Sequence, residues 1–440
     1  MFEKRNLIDS WAILPDFLMR IKSRVLGSAF LKANLLVFII VNMGNIFSYL
    51  FQFAMGHLLT SHDYGTMNAL LSFASIISAP FAVIPIVMAN FTANYASCNK
   101  IKHIAYITKR SFKFMVIFGF IVFIAGCLLM REIGGYLKIA AAVPILIIIV
   151  QSATGLISPV FIGVLQGLKR FTFYSLSIAS FASLRFFIGL LLVGVIGMKL
   201  NGALLAGLIA GLFPLFLSFI FLRDVIFIKT NPVPQNSSKI FKEMLIYAIP
   251  VSLTYIGVTF LTNMDMIMVK HYFTAAETGT YSAAVVIGRI AYFLPATVVA
   301  VLFPVVSAEH ARGENTHKFL WASLFLTFLI SGSVAVVFYM FPGFIVKILF
   351  GAKYLSAQSL LKITVFSMMF LSLITVVANY SLAKRRWLFL VPLLIGVVLE
   401  PLIIYFFHLS LKRVALSVMI LMAVVFAIIV FIEGIKVRRR

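Results

Sequence analysis

The chain reads HLLTSHDYGTMNALLSFASIISAPFAVIPIVMANFTANYA over His57–Ala96 and HYFTAAETGTYSAAVVIGRIAYFLPATVVAVLFPVVSAEH over His271–His310. The two stretches align without a gap at an offset of 214 residues. Gly65 aligns with Gly279, and Asp63 aligns with Glu277. A hydrophobic chain that repeats itself at such a distance is typical of proteins built from two similar halves. The repeat therefore predicts two lobes of the same fold.

The composition places these lobes in a membrane. Hydrophobic residues make up 62% of the 440 residues and charged residues only 11%, with a mean hydropathy of +1.09. Soluble domains usually contain about 25% charged residues, and a helix needs about 20 apolar residues to cross a bilayer. By this measure the chain has twelve predicted spans, at 30–56, 64–94, 110–130, 139–166, 171–195, 201–222, 243–269, 277–307, 318–341, 356–382, 387–408 and 414–433. We expect an all-α integral membrane protein with six helices in each lobe.

The basic residues indicate the topology. Most of the 37 Lys and Arg residues fall in the termini and in the loops on the N-terminal side of the membrane. Loops rich in Lys and Arg are cytoplasmic, so both termini are expected in the cytoplasm. The net charge of +24 is then a topology signal, and no nucleic-acid partner is expected. Six spans on each side of the middle make the two lobes parallel repeats.

These features predict five segments. They are an amphipathic cytoplasmic segment at 1–29, an N-lobe at 30–228, a Pro-containing cytoplasmic linker at 229–242, a C-lobe at 243–433 and a basic cytoplasmic tail at 434–440. Prolines inside spans two and eight predict bends in both helices: Pro80, Pro85, Pro295 and Pro304. Asp63 and Glu277 are interpreted as acidic first turns of these two helices, where the backbone dipole favours a negative charge.

Four charged residues lie deep inside predicted spans. They are Arg185, Asp265, Arg289 and Glu400. A charge at such depth is costly and marks a functional site by default, so we expect these residues to face a hydrated interior. The alternative is that they form ion pairs that hold helices together, an interpretation that applies most strongly to Glu400.

Span one carries a polar stripe. Its members are spaced by three or four residues and so share one helix face: Asn42, Asn45, Tyr49 and Gln52. The offset of 214 residues places Asn263 of span seven at the position of Tyr49. Spans one and seven are therefore expected to line a shared cavity, although hydrogen bonding between helices is an alternative role for such amides.

Motifs of catalysis are missing from the sequence. It contains no phosphate-binding P-loop, no HExxH and no GxSxG, and its two cysteines have no metal-ligand spacing. We expect a protein that is not an enzyme, with no cofactor and no metal. A membrane protein of two repeated lobes is typically a transporter. Because the sequence has no ATP-binding motif, we expect transport to depend on an ion gradient, the membrane potential or the gradient of the substrate.

The sequence resembles a known family at three places. The segment His57–Ala69 and its copy at Glu277–Ala283 resemble the signature that follows the first helix of polysaccharide and O-antigen flippases. Leu165–Phe171, with the sequence LQGLKRF, resembles the junction of their fourth and fifth spans, and the basic turn Lys384–Trp387 repeats it. These flippases belong to the multidrug, oligosaccharidyl-lipid and polysaccharide exporter superfamily. Ser61-His62-Asp63 stands where the family usually has Gly-Pro-Glu.

The resemblance implies two six-helix bundles that open alternately to either side of a bacterial inner membrane. The implied cargo is an undecaprenyl-diphosphate-linked oligosaccharide, and polysaccharide synthesis or polymerisation machinery is a possible partner. On this interpretation Arg185 and Arg289 neutralise the diphosphate, and Asn45, Gln52 and Asn263 form hydrogen bonds with the sugars. Tyr49 and Glu400 are further candidate residues of the substrate cavity. Asp265 is the candidate site for a coupling proton or sodium ion.

Two other functions stay open at this point. A multidrug cation antiporter of the same fold would favour buried carboxylates over buried arginines. A membrane subunit of polysaccharide synthesis or polymerisation, such as a glycosyltransferase, usually needs a large outward loop with acidic residues. The predicted outward loops here are short, which argues against that third function.

Overall fold

The computed structural model describes residues 29–229, 237–296, 298, 302, 306 and 316–438. Three predicted segments fall wholly or mostly outside this part of the chain: the amphipathic segment at 1–29, the linker at 229–242 and the side chains of the basic tail at 434–440. Pro304, the second predicted bend of span eight, also lies outside it.

Long α-helices make up the described chain, which contains no strand. Ten of them are long and apolar enough to cross a membrane. In chain order the long helices are α1 (Ala29–Leu58), α2 (Ser61–Ser97), α3 (Ile101–Leu128), α4 (Ala142–Gly167), α5 (Phe171–Val195), α6 (Lys199–Phe221), α7 (Ser237–Tyr272), α8 (Ala275–Phe293), α9 (His317–Met340), α10 (Gln358–Ala383), α11 (Leu390–Phe407) and α12 (Leu411–Arg438). The predicted all-α membrane fold of about twelve spans is confirmed.

Short helices connect some of the long ones. They lie at Met130–Tyr136, Arg223–Ile226, Pro342–Phe350 and, as a 3-10 helix, Ala352–Ala357. We call the end of the molecule where α1 finishes and α2 begins the distal end, and the opposite end the proximal end. The α4–α5 and α10–α11 turns lie at the proximal end.

Helix α3 begins nine residues before its predicted start at 110. The extra turns contain Lys102 and Lys109, and basic residues of this kind are typical of a cytoplasmic loop. Ile104, Ala105 and Ile107 of this stretch are nevertheless buried in an apolar cluster. The basic side chains therefore occupy one face of a helix whose other face packs against the protein.

The predicted bend of span two is present. Helix α2 stops at Ser78, continues as a 3-10 turn over Ala79–Phe81 and resumes at Ile84. Pro80 and Pro85 each lie at the start of a new helical segment, where the missing N–H of proline leaves no hydrogen bond broken.

The two copies of the repeat begin with the same helix cap. The Thr60 hydroxyl oxygen accepts a hydrogen bond from the Asp63 amide at 3.1 Å, and Thr274 accepts one from the Glu277 amide at 3.3 Å. The Glu277 carboxylate also accepts from the Thr274 amide at 3.0 Å, which completes a capping box. The interpretation of both acids as first-turn residues is confirmed.

Helices α2 and α8 bring the two lobes together at the distal end. A Cβ atom on Gly65 would lie 2.5 Å from the Gly279 nitrogen and 2.6 Å from the Ala275 oxygen, and one on Gly279 would collide with the Ser61 oxygen. The repeated glycines therefore permit a backbone-to-backbone approach that any other residue would prevent. Small residues have this role wherever membrane helices pack closely.

Two further contacts link the lobes at the same end. The Lys353 ammonium donates to the main-chain oxygens of His57 at 2.9 Å and Leu59 at 2.7 Å, at the end of α1. The His271 ring lies 2.8 Å from the Tyr136 carbonyl oxygen through its Nδ1 atom and stacks on the Tyr136 ring at 4.1 Å. The lobes are thus held closed at the distal end.

A pair of equivalent ion pairs secures the proximal turns. Arg170 pairs with Asp224 beyond α6, and its guanidinium lowers the pKa of that carboxyl. Arg386 pairs with Glu433 of α12 at 3.2 Å. In both turns the preceding residue has a positive φ, 58° at Lys169 and 52° at Arg385. The repeat therefore extends to the connection between the fourth and sixth helix of each lobe.

Widening the glycine contact should open the distal end. A Gly65→Val or Gly279→Val substitution forces α2 and α8 apart, at a cost of about 1–3 kcal/mol for overpacking. The measurement uses a cysteine placed at Gln52 in a background without Cys98 and Cys127, and an impermeant maleimide applied from the distal side of sealed membranes. We expect this cysteine to react about tenfold faster in either glycine variant than in the protein that keeps both glycines.

Gly135→Val is the matched control, because a Cβ atom there meets no atom within 4 Å. Equal labelling rates in Gly279→Val and Gly135→Val would show that the glycine contact does not keep the distal end closed.

The two proximal ion pairs should differ in strength. Glu433 is buried, with 2% of its side chain exposed, whereas 54% of the Asp224 side chain is exposed. Glu433→Gln should therefore lower the free energy of unfolding in mixed micelles by about 3 kcal/mol, the cost of leaving a buried partner unpaired. Asp224→Asn should cost less than about 1 kcal/mol, as screened surface pairs do. The opposite order would contradict this ranking.

Candidate functional site

Three adjoining pockets lie between and within the lobes, on the proximal side of the glycine contact. The lateral pocket, of about 560 Å³, lies between α1, α5 and α8. The N-lobe pocket, of about 520 Å³, is enclosed by α1, α2, α4, α5 and α6. The C-lobe pocket, of about 600 Å³, is lined by α2, α7, α8 and α10. Gln52, Arg185 and Arg289 line both the lateral and the N-lobe pocket, so the two pockets meet at these side chains.

Arg289 reaches the cavity from the C-lobe. Its Nη2 atom donates to the Thr262 carbonyl oxygen at 2.8 Å and to the Asn263 side-chain oxygen at 3.2 Å, both on α7. Its Nε atom is buried and has no hydrogen-bonding partner among the described residues. One edge of the guanidinium is thus anchored, while Nε is left without a partner.

Arg185 reaches the same region from α5 of the N-lobe. Its guanidinium lies over the Phe51 ring at 4.0 Å, a cation–π arrangement. Its Nε atom also lacks a partner within the described chain. Among the described residues, the ion pairs involve other side chains, and neither Arg185 nor Arg289 has a carboxylate within 4 Å. Two cations therefore share a cavity with no described carboxylate within 4 Å of either, and the nearest described negative charge that acts on Arg289 is that of Asp265 behind the cavity wall.

The polar stripe of α1 faces the lateral pocket. Its four members all line that pocket: Asn42, Asn45, Tyr49 and Gln52. The Tyr49 hydroxyl is buried with no partner among the described residues, and its ring meets that of Phe293 on α8 edge-on at 6.4 Å. The Gln52 side-chain oxygen accepts from the Tyr64 hydroxyl at 3.1 Å.

Asn263 lines the C-lobe pocket with its polar atoms already engaged. Its amide nitrogen donates to the Thr259 carbonyl oxygen at 2.9 Å, and its oxygen accepts from Arg289. In this conformation the side chain orients the Arg289 guanidinium. The hydrogen bond between Asn263 and Arg289 therefore links α7 to α8 at the cavity.

Asp265 and Glu400 lie behind the cavity wall, and neither lines the three pockets. The Asp265 carboxylate accepts from the Tyr281 hydroxyl at 2.8 Å and from the Met266 amide at 2.7 Å. Glu400 on α11 is 1% exposed, and its carboxyl group lies against the main chain of Asp265. The two carboxyl groups are close enough to interact electrostatically. Counting along α11 gave the depth of Glu400 but not the face on which it lies.

Sequence reasoning missed the polar wall of the N-lobe pocket. Gln151 of α4 and Ser177 of α5 line this pocket, and each has a buried side-chain oxygen without a described partner. Gln151 is the one amide in the interior of predicted span four, and the argument used for the span-one stripe would have selected it.

The family profile described as polysaccharide biosynthesis protein matches residues 31–310, more than half of the chain. The chain belongs to this family. No curated protein sequence matches it. The match spans the whole N-lobe and the second copy of the repeat, and it confirms the resemblance to polysaccharide flippases.

Solved structures of the MOP superfamily share the fold of this family member. A multidrug resistance MATE family transporter in its inward-facing conformation matches with a TM-score of 0.76 at 13% identity, covering 92% of this chain and 98% of the other. Lipid II flippase MurJ in an inward closed conformation matches with a TM-score of 0.69 at 15% identity, covering 90% and 87%. An outward-facing MATE structure matches with a TM-score of 0.61 at 14% identity, covering 93% and 96%. This chain therefore shares the fold of these solved structures.

Proposed function

We propose that this protein is a flippase that moves an undecaprenyl-diphosphate-linked oligosaccharide from the cytoplasmic to the outer leaflet of a bacterial inner membrane, for surface polysaccharide synthesis. The observation that carries the proposal is the pair of arginines, Arg185 and Arg289, which meet where the lateral and N-lobe pockets join and have no described ion-pair partner within 4 Å. Polysaccharide synthesis or polymerisation machinery is the proposed partner. The protein is proposed to leave its cargo chemically unchanged and to act as no enzyme.

An anionic ligand suits this arginine pair. A cation removed from water is destabilising unless an opposite charge or several hydrogen bonds compensate it. A diphosphate presents several negatively charged oxygens, and a guanidinium binds such groups through parallel N–H donors. The unpartnered Nε atoms of both arginines are donors of this kind.

The two pockets on either side of the arginines differ in polarity. Apolar side chains dominate the lateral pocket between α1 and α8: Ile46, Leu50, Phe53, Val286, Ile290, Phe293 and Leu294. The N-lobe pocket has a larger polar share, with five serines, one threonine and two glutamines in its lining. A lipid-linked oligosaccharide has the same order of parts, with a hydrocarbon chain, a diphosphate and a hydrated glycan. The cavity is thus graded in the way that such a cargo requires.

The described conformation supports loading from the cytoplasm. The excess of Lys and Arg at the proximal end supports a cytoplasmic location of that end and of both termini. The distal end then faces outwards and is closed by the glycine contact. Release to the outer leaflet requires α2 and α8 to separate there, and the break at Pro80 and Pro85 supplies a bending point in α2.

The buried carboxyl pair is the proposed site of ion coupling. Asp265 and Glu400 connect α7 with α11, and Asp265 also connects to α8 through Tyr281. Binding a proton or a sodium ion between the two groups would remove their mutual repulsion. Because α7 and α8 also hold Arg289, a change at this pair can reach the cargo site through the same helices.

A multidrug cation antiporter is the second candidate, because MATE transporters share the fold. A cationic drug in this cavity would face two arginines, whereas the carboxylates lie behind the wall. The charge distribution therefore favours an anionic cargo.

Removing the arginines should stop translocation without preventing insertion. Arg289→Ala and Arg185→Ala each remove charge-assisted hydrogen bonds, and we expect the flipping rate to fall by about tenfold to a hundredfold. Arg289→Lys should recover only part of the rate, because lysine lacks the planar fork. The rate is measured as the exposure of lipid-linked oligosaccharide to an impermeant lectin outside spheroplasts.

Arg131→Ala and Arg413→Ala are the matched controls, because both arginines are exposed at the distal end, one in the short helix Met130–Tyr136 and the other in the first turn of α12. Intact surface polysaccharide together with increased drug sensitivity in a deletion strain would contradict the flippase and favour the antiporter.

Neutralising the carboxyl pair should uncouple transport from its ion. Asp265→Asn and Glu400→Gln keep the shape of the side chains but remove their charge. We expect the stimulation of the flipping rate by an imposed proton or sodium gradient, measured in proteoliposomes, to fall at least tenfold. A tenfold change corresponds to about 1.4 kcal/mol. Asp224→Asn, at the proximal surface, serves as the control. Unchanged gradient stimulation in Glu400→Gln would exclude the pair as the coupling site.

A further inference from the structure

The N-lobe pocket contains buried polar groups without a described partner in addition to those of its two arginines. The Gln151 side-chain oxygen and the Ser177 hydroxyl are both buried without a described partner, and Ser177 is 0% exposed. The two residues come from neighbouring helices, α4 and α5, and line the same pocket as Arg185. A buried polar atom without a partner is destabilising, so several such atoms around one cavity indicate a polar ligand.

Four other hydroxyls of this pocket are arranged as acceptors. Each donates its proton to a carbonyl oxygen of its own helix: Ser75 to Leu71 at 2.8 Å, Ser78 to Ala74 at 2.9 Å, Ser152 to Ile148 at 2.7 Å and Thr154 to Val150 at 2.8 Å. The lone pairs of these oxygens are left for a ligand. Together with the Gln151 oxygen, they form a wall that accepts hydrogen bonds. Such a wall suits a ligand with many O–H donors.

The charge of the pocket restricts that ligand further. Arg185 and Arg289 are the charged residues that line it, and its described lining includes no Asp or Glu. A sugar with a free amine would bring a third positive charge into this space. Neutral sugars, N-acetylated sugars and acidic sugars carry no such penalty.

The C-lobe pocket differs from the N-lobe pocket in its lack of the two arginines that would bind a diphosphate. Neither Arg185 nor Arg289 lines it. A sugar bonded to a diphosphate that is held by the arginines therefore has a direct path into the N-lobe pocket. The pocket volume of about 520 Å³ lies within the range of small-molecule sites.

We propose that the N-lobe pocket binds the sugar adjoining the diphosphate, that Gln151 and Ser177 recognise its hydroxyl groups, and that the site rejects sugars with a free amine. This inference rests on the proposed flippase function and adds the place, the chemistry and the residues of glycan recognition.

Two glycines of α6 give the pocket its shape. A Cβ atom on Gly207 would lie 2.9 Å from the Gln151 side-chain oxygen, so a glycine leaves room for that amide. A Cβ atom on Gly211 would meet only the Phe181 ring, at 3.9 Å. Because Gly211 lines the pocket, a larger side chain there would occupy ligand space without displacing the protein.

The test compares binding of three lipids to the full-length protein in nanodiscs. They are undecaprenyl diphosphate, the same lipid with N-acetylglucosamine, and the same lipid with glucosamine. We expect wild-type protein to bind the N-acetylglucosamine lipid at least tenfold more tightly than either of the others. Gln151→Leu, Ser177→Ala and Gly211→Leu should each weaken binding of that lipid, by about tenfold for Gln151→Leu, and change the affinity for undecaprenyl diphosphate by less than about twofold.

Gln166→Leu, on the same helix but exposed at its proximal end, is the matched control for Gln151. Equal affinity of wild-type protein for the three lipids, or equal weakening of glycosylated and bare lipid by Gly211→Leu, would overturn the glycan site. Failure of the flippase proposal has a different signature, in which wild-type protein binds none of the lipids or Arg289→Ala leaves all three affinities unchanged.

Discussion

The close approach of α2 and α8 at Gly65 and Gly279 is the contact on which the architecture depends. Between membrane helices the hydrophobic effect supplies little net attraction, so the lobes are held by direct packing and hydrogen bonds. A backbone contact at the distal end, with Lys353 and His271 beside it, closes one end of the interface. The space between the lobes must then lie on the proximal side of that contact, where the three pockets are found.

Charge separation within the C-lobe follows from the same framework. Arg289 projects from α8 into the cavity and is held by α7, whereas Asp265 on α7 turns away from the cavity towards Tyr281 and Glu400. A direct pairing of Arg289 with Asp265 would have satisfied both charges and left nothing for a ligand. The protein instead keeps the two arginines at the cavity and the carboxyl pair behind its wall, which is the separation that the proposed anionic cargo and the proposed coupling ion require.

The duplication explains why only one copy had to change. Ser75 and Arg289 occupy equivalent positions in the repeat, and both side chains line the N-lobe pocket. Two equivalent helices that meet between the lobes face a common space, so a charge gained by either copy serves the whole cavity. The first copy has a hydroxyl at this position, and the second has the cation. The proximal ion pairs differ from this position, because both lobes have the same contact: Arg170–Asp224 in the N-lobe and Arg386–Glu433 in the C-lobe.

The sequence by itself determined the membrane-spanning helices, the two-lobe repeat, the caps of α2 and α8, the break at Pro80 and the face of the α1 stripe, because each depends on local periodicity or on residues close in the chain. It also determined the depth of Arg185, Arg289, Asp265 and Glu400, since depth follows from a count along a helix. Only the tertiary structure decided which of these charges face the cavity, because the rotation of a helix about its axis is set by its neighbours. For the same reason it alone placed Gln151 and Ser177 beside Arg185, from helices whose mutual packing no local pattern specifies.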